Sequence, residues 1–265
     1  MSDVLKVAQD GHVRTLTLNR PEKKNALSDE LAWAIIAGVE EAAKDDDVWV
    51  IGITGVEDSF CAGLDLTPTD GPSGSPLSSQ DQQLDDLGWV SRFPLVLREQ
   101  CDKPIVAGVN GVAVGAGLSL AMASDIRIGA ESLRLIAGYP RIGGSPDGGL
   151  SWTLAQAVGY EQSMRFLLEN RTVDGAEALE LGMIGELVPD ERFASRFAEY
   201  CQQLTQLSPI TGRLTKRVVR NATRIDLEAH ARYELQNIGK AFGSEDGREA
   251  RTAFMEKRDP LFKGR

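Results

Sequence analysis

The sequence predicts an α/β protein in which a mostly parallel sheet core is followed by a helical C-terminal region. Short apolar strand segments alternate with a helix in the first half of the chain, and strand signals almost vanish beyond residue 148. The 265 residues, 42% of them hydrophobic, are enough for one large domain with a full core. We expect the α/β core to span residues 1–190 and the helical region to span residues 191–265.

The chain starts with a predicted β-hairpin, because "VLKVAQDGHVRTLTLN" contains two alternating apolar runs around Asp10 and Gly11. A helix is predicted next, with Ser28 as its N-cap. Its apolar face follows the helical period through Leu31, Ile35, Val39 and Ala42.

Further strands are predicted in "VWVIGITG", "PIVAGVNGVAVGAG", "SDIRIGA" and "SLRLIAG". Residues 67–79 are rich in Pro, Ser, Gly and Thr, which predicts a mobile surface loop. Pro94 is expected to bend or end the helical segment that follows. Helices are then predicted in "DGAEALELG", "ERFASRFAEYCQQL", "GRLTKRVVRNA" and "LEAHARYELQNIGKAF".

The composition argues against several classes of function. A formal net charge of −10 disfavours binding to nucleic acid. Three widely separated cysteines and two histidines offer neither a disulfide framework nor a metal site, and His12 and His230 are expected at the surface rather than in a catalytic pair. The N-terminal segment lacks a targeting pattern and no apolar run approaches the roughly 20 residues that span a bilayer, so we expect a cytoplasmic protein without membrane contact.

A single acid, Asp147, lies in the glycine-rich stretch "GYPRIGGSPDGGLSW". Its position before two glycines and an apolar helical segment is typical of an N-cap, whose side chain accepts hydrogen bonds from free backbone N–H groups. The alternative is that Asp147 is a catalytic base. The local sequence leaves both interpretations open.

Several segments of the chain, in order, resemble the crotonase, or enoyl-CoA hydratase/isomerase, family. The resemblance implies a core of ββα turns wound into a spiral, with a C-terminal helical region that packs homotrimers, often paired into homohexamers. It rests on "LNRPEKKNAL", "SFCAGLDL", "KPIVAGVNGVAVGAGLSLAMASDIRIGA", "IGGSPDGG" and "AFMEKRDPLFKG".

Two of these segments run from an apolar strand into a turn of small residues before a helix, which leaves backbone N–H groups unpaired. The resemblance implies that the N–H groups of Leu64 and Ala116 form an oxyanion hole for a thioester carbonyl. The alternative is that Gly63, Gly115 and Gly117 only permit tight turns and close packing.

An acidic protein that binds the phosphates of coenzyme A needs a local basic site. The resemblance implies that Lys23 and Lys24 meet these phosphates, although each is also a candidate for a solvated surface charge. It implies that Phe262 and Lys263 reach the ligand of a neighbouring subunit. No metal or cofactor is expected, since the coenzyme A thioester is the substrate. The adenine and pantetheine end would be lined by Ala26, Ala62, Asp65 and Leu66.

The sequence departs from the hydratases of this family, which generally use two glutamates. Their places are taken by Ser119 and Tyr139, neither of which acts as a carboxylate base at neutral pH. We expect Ser119 to be a small residue that leaves room for the pocket. Tyr139 is either a wall of the acyl site or a packed aromatic residue.

Asp147 falls where isomerase, dienoyl-isomerase and dehalogenase branches of the family carry an aspartate. One carboxylate suffices to take a proton from one carbon and return it to another, because each half-reaction uses the opposite protonation state. We therefore expect double-bond or ring isomerisation of an acyl-CoA with Asp147 as the base. The alternatives are an enoyl-CoA hydratase and a non-catalytic member that binds acyl-CoA.

Overall fold

A computed structural model describes residues 3–67 and 75–265 of the chain. The loop predicted at 67–79 lies outside the described residues over positions 68–74. The strands, in chain order, are β1 (Leu5–Asp10), β2 (Val13–Leu18), β3 (Val50–Gly55), β4 (Ser59–Cys61), β5 (Ile105–Val109), β6 (Val112–Val114), β7 (Ile126–Ala130), β8 (Arg134–Ile136), β9 (Thr172–Asp174) and β10 (Glu186–Val188).

These strands form two sheets, which the chain visits alternately from β3 to β8. A six-stranded sheet has the order β1-β2-β3-β5-β7-β10, and a four-stranded sheet has the order β4-β6-β8-β9. From β3 to β8, each pass of the chain therefore adds one strand to each sheet before a helix follows. The predicted α/β class is confirmed, and this alternation is the winding that a ββα spiral requires.

Most neighbouring strands are parallel, as predicted. In the six-stranded sheet only the β1–β2 hairpin is antiparallel, with Asp10 paired to Val13 beside the predicted turn. In the four-stranded sheet β4, β6 and β8 are parallel, and β9 is antiparallel to β8. The carboxyl ends of β4, β6 and β8 consequently lie at one edge of that sheet.

The helices, in chain order, are α1 (Asp29–Lys44), α2 (Ser79–Leu84), α3 (Gly88–Pro94), α4 (Ala116–Ala123), α5 (Leu150–Val158), α6 (Tyr160–Glu169), α7 (Gly175–Glu180), α8 (Asp190–Leu204), α9 (Pro209–Asn221), α10 (Leu227–Gly243) and α11 (Glu245–Glu256). Ser28 caps α1 as predicted, since its hydroxyl accepts a hydrogen bond from the Leu31 N–H at 3.3 Å. At Pro94 the chain changes from α-helix to a π-helix over Leu95–Gln100, which is where the sequence predicted a break.

Helix α8, the first helix of the predicted C-terminal region, packs on the six-stranded sheet. Phe197 lies against two strands at glycines, because a Cβ at Gly52 or Gly108 would come within 2.9 or 2.8 Å of its ring. Phe193 and Phe197 are both buried in a second, smaller apolar core under this helix. The first C-terminal helix thus shares a core with the α/β part, and the domain boundary at 190 stays a prediction.

Helix α9 is attached to the core by charged groups. The Arg217 guanidinium donates to Asp102 at 2.7 Å, and the Lys216 ammonium lies 2.7 Å from the Asp125 carboxylate. Among residues 3–67 and 75–265, no helix is both long and apolar enough to cross a membrane. The helices expected in the C-terminal third are confirmed, whereas the three-residue strands β9 and β10 were not predicted, because so few residues show no alternation.

Candidate active site

The candidate site lies where the carboxyl ends of β4, β6 and β8 meet, because each strand is followed by one of the predicted site segments. Residues 62–66 follow β4, the start of α4 follows β6, and residues 137–149 follow β8. The connections that follow neighbouring parallel strands all begin at the same edge of the sheet, which is where α/β proteins commonly bind ligands. The topology therefore brings Leu64, Ala116 and Asp147 to one edge from three distant parts of the chain.

Glycines let the first two segments touch. A Cβ at Gly63 would lie 2.7 Å from the Val114 carbonyl oxygen and 3.9 Å from the Ala116 nitrogen. A Cβ at Gly117 would lie 2.4 Å from the Cys61 carbonyl oxygen. Gly63 and Gly117 thus permit close packing, and that packing sets the backbone of the Leu64 segment beside the start of α4.

The N–H groups of Leu64 and Ala116 have no partner among the described residues. Leu64 forms an isolated parallel bridge with Leu27, but its two hydrogen bonds use the Gly63 carbonyl and the Asp65 N–H. Ala116 is the first residue of α4, where N–H groups have no partner within the helix. Two free donors at adjoining segments are what an oxyanion hole requires.

Asp147 is exposed and its side chain is held by a buried tyrosine. The Tyr139 hydroxyl donates to Oδ1 of Asp147 at 2.8 Å, and Tyr139 itself is only 6% exposed. The Ser119 hydroxyl lies 3.2 Å from the Tyr139 hydroxyl and donates to the Asp147 carbonyl oxygen at 3.1 Å. Since Ser119 lies on α4 one turn beyond Ala116, the same helix positions an oxyanion donor and the carboxylate.

The N-cap interpretation of Asp147 is wrong. The N-cap of α5 is Gly149, in the left-handed region with φ of 70°, and no side chain caps this helix. The backbone carbonyl of Asp147, rather than its carboxylate, accepts the hydrogen bond from the Leu150 N–H at 3.0 Å. Gly148 and Gly149 both have positive φ, so the chain turns and leaves the carboxylate directed to Tyr139.

The predicted coenzyme A residues form a surface beside the Leu64 segment. The Ala62 N–H donates to the Lys24 carbonyl at 2.9 Å, and the Leu27 N–H donates to the Gly63 carbonyl at 2.7 Å. These bonds align residues 23–27 with residues 62–66. Ala26 is buried there, whereas the other predicted residues are at least partly exposed and form the surface: Lys23, Lys24, Ala62, Asp65 and Leu66.

An arginine that the sequence analysis did not single out organises this surface. Arg20 donates to Asp65 at 2.8 Å and to the Ala26 carbonyl at 2.6 Å. Its hydrogen bond, aided by Thr67, holds the pKa of the Asp65 carboxyl well below the usual range. Lys23 donates to the Thr67 hydroxyl at 2.9 Å. The only signal for Arg20 was its place in the segment quoted for its lysines, since its partner is 45 residues away.

Phe262 and Lys263 lie elsewhere on the same chain. Phe262 packs against the second apolar core, and the Lys263 N–H donates to the buried Asp246 carboxylate at 2.8 Å. Their expected contact with the ligand of a neighbouring subunit involves a second chain and stays a prediction. Among the residues that the structure describes, no three His, Cys, Asp or Glu side chains are close enough to hold a metal ion.

A cavity of about 640 Å³ lies between the six-stranded sheet and α8, and its lining includes none of the predicted site residues. Its lining includes four carboxylates and no lysine or arginine, which would repel the phosphates of coenzyme A. Unpaired backbone donors beside a hydrogen-bonded carboxylate indicate an active site more strongly than the volume of a cavity does. We therefore keep the candidate site at the edge of the four-stranded sheet. The four acids of the cavity are Asp10, Glu57, Asp58 and Asp190.

Comparison with known proteins gives consistent results. The sequence profile described as enoyl-CoA hydratase/isomerase matches residues 8–265. The chain is 34% identical to 1,2-epoxyphenylacetyl-CoA isomerase of Escherichia coli K12, over 96% of this chain and 95% of that one. It is 30% identical to 2,3-dehydroadipyl-CoA hydratase of the same organism, over the full length of both. A putative enoyl-CoA hydratase structure from Streptomyces coelicolor superposes with a TM-score of 0.89 at 29% identity, covering 99% of this chain and 94% of that one.

The absence of a cap bond at Asp147 leads to a stability prediction. We compare Asp147→Asn and Asp147→Ala in a Tyr139→Phe background, where the side-chain hydrogen bond to Asp147 is already absent, and expect both to leave the free energy of unfolding within about 0.5 kcal/mol of that background. Ser28→Ala is the matched control, because it removes a true N-cap and is expected to cost about 1 kcal/mol. Urea unfolding measures all three. A loss at Asp147→Ala equal to that at Ser28→Ala, with none at Asp147→Asn, would restore the cap interpretation.

Proposed function

We propose that this chain, which belongs to the enoyl-CoA hydratase/isomerase, or crotonase, family and has its fold, isomerises an acyl-CoA thioester at a double bond or a ring. Asp147 would be the base. The observation that carries the proposal is the exposed Asp147 carboxylate, held by Tyr139 at the edge where Leu64 and Ala116 offer free N–H groups. Similarity to a protein named as an epoxyphenylacetyl-CoA isomerase supports the reaction class.

The two N–H groups would stabilise charge on the thioester. Removal of a proton beside the carbonyl places negative charge on the carbonyl oxygen, which accepts hydrogen bonds from Leu64 and Ala116. Each such donor typically lowers the barrier by about 3 kcal/mol. The partial positive charge at the start of α4 acts in the same direction.

Asp147 would move the proton. Its carboxylate takes a proton as a C–H bond of the substrate breaks, and the electron pair passes into the enolate. The protonated carboxyl then returns this proton to another carbon as the double bond shifts. No water is added, and the carboxylate is regenerated, so a single acid serves both half-reactions.

Hydration is the second candidate, because the chain is 30% identical to a protein named as a hydratase. Hydration must activate water and also protonate the neighbouring carbon, and the resemblance to glutamate-bearing hydratases places only Ser119 and Tyr139 there. Burial, aided by the charge of Asp147, raises the pKa of the Tyr139 phenol, so Tyr139 keeps its proton at neutral pH. A member that only binds acyl-CoA would have no need of charge stabilisation at the carbonyl.

The reaction is tested with a panel of 2-enoyl, 3-enoyl and ring-epoxide acyl-CoA compounds in deuterated water, with products followed by mass spectrometry. We expect isomerisation without net addition of water. Asp147→Asn should keep the melting temperature and the affinity for coenzyme A but lose turnover by about 100- to 10,000-fold.

Rapid formation of 3-hydroxyacyl-CoA would identify a hydratase instead. An asparagine variant with nearly full turnover would remove Asp147 from the mechanism. A panel that is bound but left unchanged would favour the non-catalytic alternative.

We also propose that Lys23 and Lys24 bind the phosphates of coenzyme A. Lys24 forms a 4.0 Å ion pair with Asp58, and because both side chains are largely exposed this pair is weak, so a phosphate can take the place of Asp58. We expect Lys24→Ala to weaken coenzyme A binding by about two- to five-fold at low ionic strength and hardly at all at high ionic strength. Lys6→Ala, at an exposed lysine on β1, is the control. Calorimetric titration at two salt concentrations measures this, and an effect independent of salt would contradict it.

A homotrimer or homohexamer is proposed for the C-terminal helices, because they expose many large apolar side chains. Phe254 and Met255 on α11 are 82% and 80% exposed, and Leu235 on α10 is 72% exposed. Light scattering should give three or six times the mass of the chain, and Phe254→Glu should lower it. A parent that stays monomeric at micromolar concentration would contradict the assembly and the proposed reach of Phe262 into a neighbouring site.

A further inference from the structure

We propose that Tyr139 is a positioning residue that holds Oδ1 of Asp147, so that Oδ2 is the oxygen that exchanges protons with the substrate. The inference rests on the proposed role of Asp147 as the base. It assigns Tyr139 a task different from lining the acyl site or filling the core.

Tyr139 is fixed at both of its ends. Its backbone opens a 3₁₀ turn over Tyr139–Ile142, and the preceding Gly138 N–H donates to the Asn170 side chain at 2.7 Å. Its ring lies beside the start of α4, since a Cβ at Gly115 would be 4.0 Å from Cζ. The hydroxyl at the end of this buried ring is therefore held at a defined place.

Counting protons gives the direction of the hydrogen bonds. An ionised carboxylate can only accept, so the Tyr139 hydroxyl must donate its one proton to Asp147. Toward Ser119 the same hydroxyl can then only accept. Burial, with the Asp147 charge adding to it, raises the pKa of Tyr139, so the phenol remains a donor at neutral pH.

The hydrogen bond donated by Ser119 is less well defined than the one donated by Tyr139. Its single hydroxyl proton has three acceptors within reach, the carbonyl oxygens of Gly115 and Asp147, both at 3.1 Å, and the Tyr139 hydroxyl at 3.2 Å. The Tyr139 proton can go to Asp147 at 2.8 Å or to the Ser119 oxygen at 3.2 Å, and an ionised carboxylate is the stronger acceptor of the two. The orientation of the carboxylate consequently depends on Tyr139 more than on Ser119.

The hydrogen bond from Tyr139 is needed to orient the Asp147 carboxylate, because the Asp147 backbone lies in a glycine turn. Gly148 and Gly149 follow it with φ of 57° and 70°, and Asp147 itself is exposed. Oδ2 has no hydrogen-bond partner among the described residues, whereas Oδ1 accepts from Tyr139. A proton taken from the substrate therefore resides on Oδ2, the oxygen from which it can be returned.

The test compares Tyr139→Phe with the parent in exchange of the proton beside the thioester carbonyl of a saturated acyl-CoA in deuterated water. Loss of the hydroxyl keeps the ring but frees the carboxylate to rotate, so we expect the exchange rate to fall about 10- to 100-fold, as for other misplaced catalytic groups. The Kd for the thioester should stay within about two-fold, because only the reacting geometry changes. Tyr200→Phe, at a half-buried tyrosine on α8, is the matched control and should exchange at the parental rate.

A second measurement uses a 3-enoyl-CoA deuterated at C2 and follows the fraction of deuterium that reappears at C4. We expect Tyr139→Phe to lower this direct return, because the proton can then settle on either oxygen. A change of packing alone would alter rate and affinity together and leave the returned fraction unchanged.

The outcomes separate the two proposals. Parental exchange and direct return in Tyr139→Phe would overturn the positioning role while leaving Asp147 as the base. A loss of binding in proportion to rate would overturn it as well, in favour of an acyl-site wall. A parent that exchanges no proton in any thioester would overturn both, and that result is visible without any variant.

Discussion

The close approach of β4 and β6 at their carboxyl ends is the constraint on which the site depends. A Cβ at Gly117 would lie 2.4 Å from the Cys61 carbonyl oxygen, and one at Gly63 would lie 2.7 Å from that of Val114. Since no side chain separates the two backbones, α4 begins directly beside the segment that follows β4. The unpaired N–H groups of both segments are thereby held by buried backbone rather than by mobile side chains, which is the preorganisation that charge stabilisation requires.

Helix α4 connects this backbone site to the acid. All eight of its residues are buried, so its position is set by packing on every side. Its first residue supplies one oxyanion donor, and Ser119 one turn later contacts both the Tyr139 hydroxyl and the Asp147 carbonyl. One rigid helix therefore positions both the group that would stabilise charge and the group that would move protons. The distance between these groups does not depend on the connections between strands.

Sequence patterns predicted the elements that are determined by residues close together in the chain. Ser28 and the apolar period after it identified α1, and the alternation around Asp10 identified the hairpin. The same kind of reasoning failed at Asp147. The N-cap preference of aspartate considers only the backbone N–H groups of the next few residues, whereas the Asp147 carboxylate accepts its hydrogen bond from Tyr139, eight residues away. Arg20 was missed for a similar reason, since its partner Asp65 becomes a neighbour only after folding. The roles of Leu64 and Ala116 were inferred from the family resemblance. Nearly every residue type carries a backbone N–H group, so the sequence itself does not mark such donors.

The alternation of the chain between two sheets has a consequence for how such a protein diversifies. Leu64, Ala116 and Asp147 are carried by three successive passes of the spiral, after β4, β6 and β8. A change of length in the connection after one of these strands acts on one group without changing the register of the strands that carry the other two groups. Selection, or a protein engineer, can thus vary one connection while the other two passes of the spiral keep their geometry.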